Sequence, residues 1–338
     1  MERFTIVLVP PFSEPLMRTA AIAAQAPPRV EGSRPVPSEP EQAEERKLAF
    51  EGFRYTCRIV HQGSPQTEPL LLLGGSSQNR YSWQSHEKWL APLCTLITVD
   101  LPGYGSSDFL PASYDISFLG DAVQHMLTEV GVPEVNLFGG CFGEVVGLRF
   151  AQRHPESVRR MVYAAAANRL PALYSEAVPR LTETLERGDI AGAAEGLVRL
   201  FMSNPEAGKV RRHAAVARLL QRQFLNQTQD EIRKAVEHNI RLVTHGCYEP
   251  LPVPRVPTLV FTGEYDTLCT PDMGRDLAAT MPGALFTTVK EADHLVTVER
   301  REESADLIAR LCMDQSVDGL AYCTEVEVPC PARLHAQA

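Results

Sequence analysis

A glycine-flanked cysteine marks the point at which a strand pattern gives way to a helix pattern. The stretch NLFGGCFGEVVGLRF, residues 136–150, places Cys141 between Gly139 and Gly143. A chain that passes from a strand into a helix in so few residues must turn tightly, and side chains two positions before and after the tip would collide across the turn. The stretch therefore predicts a strand, a strained turn with a thiol at its tip, and a helix.

Strand and helix patterns alternate on both sides of this turn. Between the apolar runs lie helix-period patterns such as residues 115–130, whose apolar side chains recur at intervals of three and four. Such alternation predicts an α/β fold with a mostly parallel central sheet and helices on both faces. The apolar runs typical of buried strands are PLLLLGG, TLITVD, EVNLFGG, VRRMVYAAAA, PTLVFTG and ALFTTV.

The strand signal disappears between about residue 170 and residue 250. Four helical patterns replace it, roughly at residues 172–187, 189–202, 209–224 and 228–243. We interpret this segment as a helical cap inserted into a core. The Pro- and Glu-rich N-terminal segment is interpreted as an extension and linker, and the end of the chain as a tail with a short strand in EVEVPCP. The predicted parts are 1–46 (extension and linker), 47–169 and 251–312 (core), 170–250 (cap) and 313–338 (tail).

Charge and cysteine content restrict the partners and the compartment. The 338 residues carry a formal net charge of -9, which argues against nucleic acid because phosphate binding needs concentrated Lys and Arg. Eight cysteines without a C-x-x-C pair predict free thiols in a reducing cytoplasm, and no zinc site or disulfide framework. We expect no membrane partner and no secretory signal. The basic cluster KVRRH, residues 209–213, is expected to be a solvated helix face, with docking of a carrier protein there as the alternative.

Two further residues combine with the cysteine into a candidate catalytic site. Cys141 is predicted at a helix N-terminus, where partial positive charge and free N–H groups favour thiolate over thiol. Asp266 follows the strand PTLVFTG, and His294 lies in a loop between a strand and a helix. The chain order nucleophile, acid, histidine suits a triad in which the acid holds the imidazole tautomer. Taken alone, each of the two also suits an ordinary turn or a solvated loop.

The oxyanion donors are expected to be backbone N–H groups. The loop GGSSQNRYSW supplies one and the residue after the nucleophile supplies the other, which we assign to Ser76 and Phe142, with Gly75 as the alternative to Ser76. Glu144, in the first helical turn, either complements the helix dipole or faces the thiol and moderates its pKa. His245, at the end of the cap, is interpreted as a hinge residue, with a second base as the alternative.

Several motifs in order make residues 50–312 resemble the α/β-hydrolase fold superfamily: LLLLGGSS, VDLPGYGSSD, GGCFG, FTGEYD and DHLVTVE. The resemblance implies the α/β-hydrolase fold, a cap between the sixth and seventh strands, and the triad roles of Cys141, Asp266 and His294. Two departures matter, because Gly74 replaces the His usual in the oxyanion motif and Cys stands where Ser is usual.

A cysteine nucleophile favours thioester substrates. Its acyl-enzyme is itself a thioester, so transfer between thiols is close to thermoneutral, whereas a thiolate that attacks an ordinary ester is expelled before the poorer alkoxide leaving group. The chain is also similar to the cap-bearing, Cys-dependent acyltransferases that move acyl or aminoacyl groups between carrier-protein phosphopantetheine arms in nonribosomal peptide and polyketide pathways. That resemblance implies a carrier-protein arm as substrate, with no cofactor and no metal.

Other interpretations stay open. A thioesterase or esterase would deliver the same acyl-enzyme to water, and dienelactone-hydrolase-like enzymes also resemble the chain but usually lack a large cap. A non-catalytic binding protein on the same fold would leave the thiol inert. Arg80, in the oxyanion loop, is a candidate contact for a pantetheine phosphate or a carboxylate, with an exposed loop arginine as the alternative.

Overall fold

A sheet of eight strands forms the core of the residues that the computed structural model describes, 43–202 and 208–330. In chain order the strands are β1 (Ala43–Phe50), β2 (Phe53–Val60), β3 (Leu70–Leu73), β4 (Leu96–Asp100), β5 (Val135–Gly140), β6 (Val158–Ala164), β7 (Thr258–Gly263) and β8 (Leu285–Val289). Their order across the sheet is β1-β2-β4-β3-β5-β6-β7-β8. The β1–β2 and β2–β4 pairs are antiparallel and the others are parallel, which confirms the predicted mostly parallel sheet.

Helices cover both faces of this sheet. In chain order they are α1 (Gln84–Leu90), α2 (Ile116–Glu129), α3 (Phe142–Arg153), α4 (Ala172–Glu186), α5 (Ile190–Phe201), α6 (His213–Leu225), α7 (Gln229–His245), α8 (Pro271–Ala279), α9 (Val296–Glu299) and α10 (Arg301–Cys312). Successive side chains of a strand point to opposite faces. Leu71 and Leu73 therefore pack in one apolar cluster with α2, α3 and α8, while Leu70 and Leu72 pack in the other with α1 and α10.

The cap helices α4–α7 lie between β6 and β7, where the sequence predicts four helices. The predicted start of the third helix at residue 209 is wrong. That helix begins at His213, because Arg212 has a left-handed φ of 62°, which interrupts a right-handed helix. α7 begins with a capping box between Thr228 and Glu231.

The KVRRH cluster is therefore not the helix face that the sequence analysis expected. Nη1 and Nε of Arg211 lie 3.7 Å from Glu303 and 3.5 Å from Glu291 of the core, respectively, and the Arg211 N–H donates to the Glu291 carbonyl oxygen. The cluster thus contributes to the contact between cap and core.

The core begins earlier than the predicted boundary at residue 47. β1 includes Ala43–Arg46, which the sequence analysis assigned to the linker, and it pairs with β2 through the two-residue turn Glu51–Gly52, both with positive φ. Most β1 side chains are exposed. A charged edge strand has the composition of a linker, so composition alone did not separate the two. Residues 1–42 of the predicted extension lie outside the described residues.

The predicted strand in EVEVPCP is absent from the described residues, and the tail makes isolated bridges to β8 instead. Glu327 pairs with Phe286 and Cys323 with Val289, so the described part of the tail lies along the outer edge of β8. The two bridges are four residues apart on the tail and three apart on β8, so the register of the pairing changes between them. Residues 331–338 lie outside the described residues. Within the described ranges, no helix combines the length and the apolar character needed to cross a bilayer.

Candidate active site

The tight turn between β5 and α3 holds Cys141 in a conformation that L residues rarely adopt, with φ 52° and ψ -118°. A Cβ atom on Gly139 would lie 2.6 Å from the Gly143 carbonyl oxygen, and one on Gly143 would lie 2.1 Å from the Leu73 carbonyl oxygen. Both positions therefore exclude any side chain. The close packing on each side of the tip keeps Cys141 in place, as the G-x-C-x-G spacing predicts.

His294 joins the thiol to a carboxylate. Its Nε2 atom lies 3.3 Å from Sγ of Cys141, and its Nδ1 atom lies 3.0 Å from Oδ2 of Asp266. Asp266 and His294 follow the neighbouring parallel strands β7 and β8, so both lie at the same edge of the sheet as the end of β5. The structure therefore brings together the three residues of the predicted triad.

The Asp266 carboxylate is fully hydrogen-bonded by its surroundings. Besides His294, it accepts from Oγ1 of Thr262 at 2.8 Å and from the backbone N–H groups of Leu268 and Cys269 at 2.9 and 2.8 Å. These donors fix the orientation of the carboxylate. A carboxylate held in this way keeps the imidazole in one tautomer, with the proton on Nδ1 and Nε2 directed at sulfur.

The His294 ring is buried and electrostatically coupled to both neighbours. Burial alone lowers its pKa, but the charges of Asp266 and Cys141 outweigh burial and raise the pKa of His294 well above its ordinary value. Phe201, from cap helix α5, stacks on the ring with a centroid distance of 5.5 Å and an angle of 24°. The cap therefore covers the imidazole ring.

Two backbone N–H groups beside the thiol have no acceptor within the described part of the chain. They belong to Ser76 and Phe142, and both residues line a cavity with Cys141. The N–H of Gly75, in contrast, donates to Oε1 of Gln78 at 2.7 Å. Between the two alternatives for the oxyanion loop, the geometry favours Ser76.

Glu144 is almost completely buried, with 1% of its surface exposed. Burial raises the pKa of its carboxyl well above the ordinary value, and the charge of Cys141 adds to that effect, while the backbone of Ala167 opposes it by hydrogen bonding. The raised pKa favours the neutral acid, which does not complement the helix dipole with a charge. Of the two hypotheses for Glu144, the geometry favours a carboxyl that faces the thiol.

Two residues singled out from the sequence do not contribute to this site. His245, at the end of α7, hydrogen-bonds the Ala112 carbonyl oxygen at 2.8 Å and lines neither cavity around Cys141, so the alternative of a second base is wrong. The Arg80 guanidinium pairs with Asp100 and Glu45 and is mostly buried. It is therefore neither an exposed loop arginine nor free to bind a phosphate.

Cys269 and Phe201 contact His294 but were missed by sequence reasoning. The Cys269 thiol lies beside His294, whose interaction lowers its pKa, but burial outweighs this and raises the pKa of that thiol to about 12. Its position three residues after Asp266 was the only available signal, because both residues share one turn. Phe201 lies inside a predicted cap helix, but nothing in the sequence indicates the direction of its side chain.

Two cavities meet at Cys141, and Ser76 lines both. The larger has a volume of about 110 Å³ and is bounded by α6, where Leu219 is 48% exposed, so it reaches the surface. The smaller has a volume of about 50 Å³ and lies towards Glu144. In the described ranges, no group of three or more His, Cys, Asp or Glu side chains is placed to hold a metal ion.

Comparison with known sequences finds a family model that matches most of the chain. Residues 68–300 match the family model described as alpha/beta hydrolase fold. A pimeloyl-[acyl-carrier protein] methyl ester esterase of Neisseria meningitidis is 27% identical over 243 residues, which are 70% of this chain and 90% of that protein. An uncharacterized protein of Mycobacterium tuberculosis is 29% identical over 115 residues, which are 34% of this chain and 33% of that protein. The match thus spans about a third of the length of that mycobacterial relative.

Comparison with solved structures supports the same architecture. An alpha/beta hydrolase enzyme from a Medee basin deep-sea metagenome library superimposes with a TM-score of 0.70, covering 81% of this chain and 99% of that one. The two sequences are 16% identical, so this likeness is evidence of the fold alone.

Proposed function

Because the chain belongs to the alpha/beta hydrolase fold family, we propose that it is a hydrolase that cleaves acyl thioesters through an acyl-enzyme on Cys141. The supporting observation is the continuous hydrogen-bonded series from Cys141 through His294 to Asp266 at the strained turn. The cysteine nucleophile and the cap had favoured transfer between thiols. The esterase relative favours its alternative, in which water accepts the acyl group.

In the first half of the proposed reaction, Sγ of Cys141 attacks the carbonyl carbon of the thioester and forms a new C–S bond. The electron pair of the carbonyl moves to oxygen, where the N–H groups of Ser76 and Phe142 donate to the oxyanion. Collapse of this intermediate breaks the bond to the leaving sulfur, which takes the proton from Nε2 of His294. The products are a free thiol and the Cys141 thioester.

In the second half, water attacks the same carbon while Nε2 of His294 accepts its proton. The bond between carbon and Sγ breaks, the carboxylic acid leaves, and thiolate and imidazolium are regenerated. Asp266 stabilises the imidazolium in both halves without itself taking a proton. With a thioester, both groups that the tetrahedral intermediate can expel are sulfurs, which is why a thioester suits this nucleophile better than an alkyl ester.

The larger cavity suits the arm that carries the acyl group. It reaches the surface beside α6, and its lining is mainly apolar, including Phe201, Leu220 and Phe224. An extended chain such as a phosphopantetheine arm would enter here and bring its thioester to Cys141. We propose an acyl-pantetheine, free or on a carrier protein, as the substrate class.

One observation favours a second candidate, acyl transfer to another thiol. A cysteine nucleophile keeps the acyl group at thioester energy, so transfer to a second pantetheine is close to thermoneutral. The stacking of Phe201 on His294 also limits the access of water to the acyl-enzyme. Transfer and hydrolysis share the first half of the reaction and differ only in the acceptor.

Product analysis with butanoyl-pantetheine tests the proposal. We expect multiple turnovers that release butanoic acid, with the same yield of acid when a second thiol is added. A yield of acid that falls as the acylated second thiol appears would support transfer instead. Neither product in excess of the uncatalysed rate would overturn the enzymatic account.

The matched variants are Cys141→Ala and Cys330→Ser. Cys330 is an exposed thiol in the tail. If an accessible sulfur were enough for acyl exchange, removal of Cys330 would also lower the turnover. We expect Cys330→Ser to retain full turnover and Cys141→Ala to lose it to the background rate.

A further inference from the structure

One buried polar group beside Cys141 has no role in the proposed reaction. Oε1 of Glu144 has no hydrogen-bond partner within the described residues, although the side chain is 1% exposed. A buried polar atom without a partner costs about 1–3 kcal/mol, so it needs an explanation, and a ligand that completes its hydrogen bonds is one. A hydrophobic residue would fill the same space without that cost.

The smaller cavity offers a place for such a ligand. Glu144 and Cys141 line the same space of about 50 Å³. One water-sized group occupies about 10–15 Å³ on this measure, so the cavity holds roughly three to five non-hydrogen atoms. The remaining lining is mostly apolar, and it includes Val145, Tyr174, Leu242 and Cys247.

The two cavities at Cys141 differ in size and in lining. Leu219 and Gln223 bring the larger one to the surface, and it suits the arm and its leaving sulfur. Buried side chains, including Glu144, form most of the lining of the smaller one, and the exposed Arg169 brings part of it to the surface. An acyl group attached to Sγ and directed away from the arm would therefore enter the smaller cavity.

We propose, on the premise of the function above, that the smaller cavity is the acyl pocket and that Glu144 selects short acyl groups with a hydroxyl or amino substituent. The substituent lies on the first or second carbon beyond the carbonyl, because the cavity holds only a few atoms. It donates a hydrogen bond to Oε1 of Glu144. An alkyl group of the same size fills the pocket but leaves that oxygen without a partner.

The protonation state of Glu144 suits either substituent. As the neutral acid, favoured by its raised pKa, it donates through its O–H and accepts through its carbonyl oxygen, so it matches a hydroxyl group with no net charge in the cavity. With an amine, the acid proton moves to nitrogen and the two groups form an ion pair. No further reactant is needed in either case.

Isosteric acyl groups provide the test. Isobutanoyl, lactoyl and alanyl thioesters of pantetheine differ only in a methyl, hydroxyl or amino group on the first carbon, and butanoyl, 3-hydroxypropanoyl and β-alanyl thioesters do the same on the second. We expect kcat/KM about 10- to 100-fold higher for a polar member than for its alkyl isostere in at least one series. Values within twofold of each other in both series would overturn the proposal.

Variants separate selection by Glu144 from a structural role. Glu144→Met removes both hydrogen-bonding atoms at similar length, and we expect the polar preference to disappear through a lower kcat/KM for the polar substrate. Glu144→Gln keeps hydrogen bonding without ionisation, so it should retain a preference for hydroxyl and lose one for amine. Cys247→Ala enlarges the same cavity without changing its polarity and should change both rates of an isosteric pair by a similar factor.

The outcomes distinguish this inference from the function on which it rests. If no thioester acylates Cys141, the proposed function fails first. If alkyl and polar groups both acylate it and turn over equally, the function stands and the role of Glu144 fails. A polar preference that persists in Glu144→Met would also contradict the assignment, since another group would then carry it.

Discussion

The two sides of Cys141 carry buried carboxyl groups in opposite states. On one side, Asp266 accepts hydrogen bonds from Thr262, Leu268 and Cys269 as well as from His294. On the other side, one oxygen of Glu144 has no partner among the described residues, and burial raises the pKa of that carboxyl. The hydrogen bonds of Asp266 are therefore complete without a ligand, and those of Glu144 are not.

The difference teaches how a fold divides its tasks. All backbone and hydroxyl donors to Asp266 come from β7 and the turn that follows it, so folding of this segment already fixes the acid and, through it, the histidine. Residues that act on every substrate, such as Asp266 and His294, are thus positioned by the fold alone. A site that discriminates between substrates must instead contain a polar group whose hydrogen bonds only the correct substrate completes.

The largest expected effect on the reaction rate comes from a substitution of Asp266, the carboxylate whose hydrogen bonds are complete without a ligand. Asp266→Asn keeps the shape of the side chain, but its amide does not stabilise the imidazolium and allows the wrong tautomer of His294. We expect kcat for thioester cleavage to fall by about 10³- to 10⁴-fold, measured by thiol release.

The control for that change is Asp272→Asn, on the exposed surface of α8, whose carboxylate contacts Arg275. We expect it to leave kcat unchanged, because surface ion pairs contribute little. A loss of less than tenfold in Asp266→Asn would show that the carboxylate is not needed to orient His294.

A third carboxyl sharpens the comparison. Glu299 is also buried and also has an unpartnered Oε1 among the described residues, but it lines neither cavity around Cys141. Burial raises its pKa to about 7 from an ordinary 4.5. Its Oε2 accepts the N–H of Asp293 at 2.6 Å, so it supports the loop that carries His294.

We expect Glu299→Gln to alter stability and not acyl selectivity. Between pH 4.5 and 7 the folded protein holds a proton that the unfolded chain has lost, so the wild type loses stability as the pH rises through this window. Gln does not titrate. The variant should therefore gain about 2–3 kcal/mol in unfolding free energy relative to the wild type between pH 5 and pH 8, measured by urea unfolding. A changed preference between isosteric acyl groups would contradict the distinction from Glu144.

Local sequence patterns predicted those parts of the molecule whose structure depends on interactions between residues close in the chain. The alternating strands and helices, the turn at Cys141 and the four helical patterns of the cap follow from apolar spacing and from glycines that exclude a side chain. Chain order then indicated Asp266 and His294, because consecutive parallel strands end at the same edge of the sheet.

Long-range packing decided what the sequence did not predict. Strand β1 has the composition of a linker because it is a charged edge, and the tail adopts its path only against β8. The choice between Gly75 and Ser76 depends on a hydrogen bond from Gln78, and the burial of Glu144 depends on elements far away in the chain. Periodicity does not encode such contacts.

Identification of the acylated residue tests the central claim most directly. After brief exposure to an acyl-pantetheine and acid quenching, peptide mass spectrometry locates the acyl group on the chain. The account predicts one acyl group, on the peptide that contains Cys141, and none in Cys141→Ala. An acyl group on another residue, or turnover without any acylated Cys141 in the quenched enzyme, would contradict it.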